Sequence, residues 1–209
     1  MGKSLFALCA CILLLSSCVG AGSGITVRSD GSGTLALEYR LAKDLESLGK
    51  LDGNERWLPV PAGRADLERT VNRVPGLALV SFSSKEDGKD IVYSARLNFN
   101  SPRALTAFLD ASLEDVELDM ERKRFVFTFL GAENPDGGFR DTVASSFSGY
   151  EFFLTLSMPA PVSVRWLDET GAEIQTPQTC LLKGSTVTFT SPMADIVLLD
   201  RTQVMEISW

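Results

Sequence analysis

The chain has 209 residues, 44% of them hydrophobic, with 20 basic residues against 27 acidic ones and a net charge of −7. That is enough apolar material for one packed domain and too much for a disordered chain. Basic residues scattered singly among acids speak against nucleic acid as a partner. Histidine is absent, which removes the usual general base, the Ser-His and Cys-His nucleophile systems and the commonest transition-metal ligand.

The chain opens like an export signal. Lys3 gives a positive start, and Leu5 to Leu15 then run LFALCACILLL without a polar residue. Such a run has signal-peptide length and is too short to span a bilayer, which takes about 20 apolar residues. Leu15-Ser16-Ser17-Cys18 follows, and this segment resembles the lipobox of bacterial lipoprotein precursors. The resemblance implies that residues 1–17 are removed and that Cys18 carries diacylglycerol and further acyl groups such as palmitate. The domain is then held on a membrane of the bacterial cell envelope, outside the cytoplasm. Two or three acyl chains anchor a protein durably, whereas one does not. The alternative is an ordinary secretory signal with Cys18 incidental. Residues 18–24 are small and glycine-rich, and read as a flexible tether to a domain over 25–209. Cys9 and Cys11 leave with the signal, so Cys180 is the remaining free thiol. Without histidine to activate it, it reads as an ordinary strand residue.

From Ile25 the periodicity is mostly that of half-buried strands. Leu35, Leu37, Tyr39 and Leu41 share one face. Ile91, Tyr93, Ala95, Leu97 and Phe99 alternate in the same way, as do Phe125, Phe127 and Phe129, and then Tyr150, Phe152, Leu154, Leu156 and Met158. Val162-Val164-Trp166, Val187-Phe189 and a run to Ile207 and Trp209 complete the series. Turn chemistry lies at Lys85–Gly88, Pro135–Gly138 and Asp168–Gly171. Three stretches have helical spacing instead: Leu41/Leu45/Leu48, then Leu67/Val71/Val74 closed by Pro75-Gly76, and a segment opened by Ser101-Pro102 with the stripe Leu105, Phe108 and Leu109. The predicted fold is α+β: an antiparallel meandering sheet with two or three helices packed on one face. The stretch 159–209 is a C-terminal all-β segment, a small β lobe or the sheet's closing edge.

Candidate sites are few. Asp115, Glu117, Asp119 and Glu121 fall on one face of a strand pattern, but no calcium loop's glycine is present, so a solvated face is the better reading. Ser47-Leu48-Gly49-Lys50 has the S-x-x-K spacing of serine acyl enzymes without that family's partner motifs. Gly31-Ser32-Gly33 reads as a turn and not as a phosphate cradle. No catalytic residue, cofactor or metal site is nominated. The aromatic strands fit either a filled core or a sheet curved around an apolar cavity.

Cys18, the lead-in Asp30-Gly31-Ser32-Gly33 and the late segments Met158-Pro159-Ala160-Pro161-Val162 and Gly184-Ser185-Thr186-Val187-Thr188-Phe189 together resemble LppM-type envelope lipoproteins. Ala160 and Phe189 stand where that pattern has glycine and tryptophan. The resemblance implies a non-catalytic envelope domain that binds a lipid, a glycolipid or another apolar ligand. The alternatives are a scaffold that binds another envelope protein through strand edges or its acidic face, and last a glycoside hydrolase working with carboxylates alone.

Overall fold

A computed structural model describes residues 19–43, 63–110, 115–131 and 137–209. Cys18, the signal segment and the Ser47–Lys50 match lie outside these residues, as do Leu45 and Leu48 of the first expected helix. Twelve strands and four helices are present among the described residues. One sheet of seven strands and a second of five enclose a common core, and the class is α+β.

The strands with strict alternation form as expected. β1 (Val19–Val27) pairs with β2 (Gly33–Ala42), and β2 with β4 (Asp90–Phe99), all antiparallel. Leu35, Leu41, Leu97 and Phe99 are buried, and each such side chain contributes about 1.5–3 kcal/mol of transfer free energy. β3 (Leu77–Asp87) closes this edge, with a bulge between Leu79 and Ser81. On the other flank β7 (Glu151–Ser157) lies parallel to β1, so the sheet is mixed and not a pure meander. β11 (Thr186–Pro192) and the edge strand β10 (Cys180–Lys183) follow.

The second sheet has the order β5 (Val116–Asp119), β6 (Arg124–Phe129), β12 (Gln203–Ser208), β8 (Ser163–Asp168) and β9 (Glu173–Ile174), all antiparallel. Residues 159–209 therefore form no separate lobe, because their strands are shared between the two sheets. The outer face of the second sheet is tied by ion pairs. Arg124 reaches Glu117 at 2.6 Å and Glu206 at 3.4 Å, and Arg165 also binds Glu206.

Helix α1 (Arg64–Asn72) buries Leu67 and Val71 against the first sheet. Helix α2 (Pro102–Leu109) starts as its sequence requires, with Ser101 Oγ accepting from the Ala104 amide at 3.3 Å and Pro102 in the first turn. Two helices were not expected: α3 (Gly137–Ser146), whose opening glycines read as a turn, and α4 (Met193–Val197), which interrupts the stretch read as all-β. Leu41, assigned above to both a strand and a helix, is the penultimate residue of β2.

The glycine-rich stretch 19–24 corrects a second expectation. It is no tether but the first part of β1, paired on both sides. Gly22 serves close approach: a Cβ there would sit 1.9 Å from the Phe153 ring of β7. Composition alone cannot distinguish a strand that must be thin from a linker that must be limp.

Candidate functional site

Two concavities differ in character. The first is a groove of about 280 Å³ under α4, lined by Phe129, Trp166, Phe189, Pro177, Ile196 and Leu199 among others. Three strands from both sheets supply its aromatic wall. Phe129 stacks on Trp166 with ring centres 5.6 Å apart, and Phe189 lies 5.0 Å from Trp166 and 5.6 Å from Phe129. Such offset and edge contacts between aromatic rings each add about 0.5–1.5 kcal/mol beyond area burial.

This wall holds a poorly satisfied polar group. Trp166 is 1% exposed, and its indole N–H meets no oxygen or nitrogen acceptor among the described residues. A buried donor left unmade costs about 1–3 kcal/mol, so native structures rarely keep one without use. Cys180 lies beside the indole. Burial pushes its thiol up from the ordinary value, while the indole N–H pulls the other way. The sulfur is thus the indole's one neighbouring acceptor, and a thiol sulfur is a weak one.

The second concavity is a cleft of about 650 Å³ at the end of the first sheet where β1 begins, lined by Glu38, Arg40, Lys89, Asp90, Tyr150, Glu151 and Phe153 among others. Here the polar groups answer one another. The Tyr150 hydroxyl donates to buried Asp90 at 2.9 Å, and Lys89 Nζ stands 5.2 Å from the Tyr150 ring centre. Arg40 pairs with Asp87 at 2.9 Å, and nearby Lys43 with Glu86 at 2.6 Å. The last contact holds the Glu86 carboxyl below its ordinary range, through hydrogen bonding first and charge second. Sequence reasoning nominated none of these residues, because their elements are far apart in the chain.

The carboxylates fall on a solvated face, as expected, with Glu117 and Asp119 outward and Val116 and Leu118 buried. β5 spans only Val116–Asp119. Asp119 caps the next turn, accepting from the amides of Glu121 and Arg122, both at 2.9 Å, and these bonds lower its pKa. Glu117 is taken by Arg124. No cluster that could hold a metal occurs among the described residues. Asp30 similarly closes the Gly31-Ser32-Gly33 turn, accepting from the Ser32 amide and hydroxyl at 2.9 and 2.7 Å. The late segments singled out above do meet, since the Met158 amide donates to Ser185 O at 2.9 Å and that of Val162 to Gly184 O at 3.1 Å.

No protein-family model matches the chain, and no curated protein matches it. Among solved structures, the NMR structure of the folded domain of the Mycobacterium tuberculosis LppM protein is similar to this one. Its TM-score is 0.43 and its identity 12%, over 91% of this chain and 90% of that one. No helix among the described residues is long and apolar enough to cross a membrane.

Proposed function

We propose that the protein is a bacterial envelope lipoprotein anchored through Cys18, whose domain holds an apolar ligand of the acyl-chain class in the groove under α4. The observation that carries this reading is a mostly apolar groove with three packed aromatic rings in its wall, where a buried indole N–H has only a weak thiol acceptor beside it. An acyl ester or acid offers a matching pattern, a long apolar tail and one carbonyl acceptor. The size fits at most one chain: ligand pockets run from roughly 300 to 1,000 Å³, and this groove, at about 280 Å³, falls just below that range and is too small for a whole two-chain lipid. The domain's role is then binding and not catalysis, and the anchor places it where acyl chains are abundant.

The test is to purify the full chain from a bacterial host and extract it with organic solvent without hydrolysis. Noncovalent lipid should be released in stoichiometric amount, while covalent lipid stays on the protein. Leu199→Trp, which fills the groove, should abolish the released fraction. A wild-type protein that releases no more lipid than this variant would refute the assignment.

One observation favours a second reading. The edge strand β10 leaves Leu181 64% and Leu182 51% exposed, one on each face of a sheet margin that pairs only with β11 among the described residues. Exposed apolar edges recruit strands from other chains, so a scaffold that captures an envelope protein would use this edge. Leu181→Lys would then abolish capture without touching the groove.

A further inference from the structure

The strand assignment of residues 19–24 has a mechanical consequence for the anchor. Val19 pairs with Leu41 of β2, so the residue next to Cys18 already belongs to a nine-residue paired strand. No slack separates a lipid on Cys18 from the folded sheet. A glycine-rich linker of several residues would let the domain tumble at a distance from the bilayer, whereas a direct strand attachment fixes which end of the sheet meets it.

Resting on the anchor reading above, we propose that the end of the first sheet carrying Val19, Lys43 and the Gly88-Lys89 turn lies against the surface of the membrane that holds Cys18. The β10–β11 turn at Gly184-Ser185 belongs to the opposite end. β7 runs parallel to β1, and Ser157 at its far end pairs with both Thr26 and Thr186. A nine-residue strand rises about 3.3 Å per residue, so the two ends stand about 27 Å apart.

The chemistry of the docked end agrees with a surface held by its tether and not by charge. Arg40 with Asp87 and Lys43 with Glu86 form internal pairs, and Lys89 packs over Tyr150, which itself serves Asp90. Arg40 and Lys43 are matched within the protein, so these two call for no anionic lipid, unlike the cations of a polybasic patch. The cleft of about 650 Å³ belongs to this end, so its lining is brought to the headgroup layer, and Pro192, which lines both the cleft and the groove under α4, puts the groove next to it.

The experiment uses the full chain, processed in its host and reconstituted in phosphatidylcholine vesicles that contain a headgroup-linked quencher. Cys180→Ser removes the native thiol, and a fluorophore is placed at Lys89→Cys or at Lys183→Cys. The Lys89 label should be quenched several-fold more than the Lys183 label, and raising the salt should leave that ratio unchanged. A long Gly/Ser insertion between Cys18 and Val19 should erase the difference. Equal quenching on a protein whose N-terminal peptide carries lipid by mass would overturn the orientation alone. An N-terminal peptide without lipid would remove the anchor reading, and the orientation with it.

Discussion

The two concavities teach by contrast. In the cleft at the β1 end, the hydroxyl of Tyr150, the carboxylate of Asp90 and the cations Arg40, Lys43 and Lys89 are spent on one another. The groove under α4 is mostly apolar, with Thr179, Ser191, Asp195 and Gln203 also in its lining, and the buried Trp166 Nε1 in its wall meets only the weak acceptor of Cys180. A satisfied network rigidifies the fold that contains it. A poorly satisfied donor in a mostly apolar wall costs stability and is ready for a ligand. By volume alone the larger cleft would be the binding site. The state of the hydrogen bonds reverses that order.

Substitutions should separate the two regions. Trp166→Ala removes the centre of the aromatic wall and should cost about 3–5 kcal/mol, as large-to-small core changes do, read by chemical denaturation. Tyr150→Phe should cost less, about 1–3 kcal/mol, because it strands a buried carboxylate oxygen of Asp90 while leaving the ring in place. Trp166→Phe is the sharpest comparison for binding, since it keeps an aromatic ring in the wall while deleting the indole N–H. The smaller ring leaves part of a buried volume empty, so stability should fall, though by less than in Trp166→Ala, while released lipid should fall markedly. The same change withdraws the dipole that favours the Cys180 thiolate. Alkylation of Cys180 near pH 8 should therefore be slower in Trp166→Phe than in wild type, and already slow in wild type because burial raises the thiol's pKa.

The smallest effect lies outside both regions and serves as a control. In the β8–β9 turn, Asp168 Oδ1 accepts from the Thr170 hydroxyl at 2.6 Å and from the amides of Thr170 and Ala172 at 2.9 and 3.0 Å. These bonds, the Thr170 hydroxyl first, lower its pKa below the ordinary 3.8. A carboxylate depressed in the folded state stabilises the protein above that ordinary value and ceases to do so as pH falls through the depressed one. Asp168→Asn should therefore flatten a small acid-side loss of stability below about pH 4, with no change in bound lipid.

Much of the architecture was legible in the residues. Strict alternation marks β2, β4, β6 and β7, and Ser101-Pro102 marks the start of α2, because burial and capping act locally. β3 was hidden by its bulge: Leu77 and Leu79 are followed by Phe82, so the alternation changes phase at Val80, which is 53% exposed. α4 is too short for a helical period to show. β1 resembled a linker because Gly22 answers to a ring in β7, far along the chain. The groove was illegible for the same reason. Phe129, Trp166, Phe189 and Ile196 come from four elements of two sheets and a helix, and nothing in their local spacing links them.

The most direct measurement is the fluorescence of Trp166 in the full chain, with Trp57 and Trp209 replaced by phenylalanine, titrated with a fatty acid brominated along its chain. The groove assignment predicts saturable quenching that reaches a plateau near one equivalent, and that is weakened in Leu199→Phe, which narrows the groove without adding a second indole. Fluorescence of Trp166 unchanged by the brominated acid, in a protein that remains folded, would contradict it.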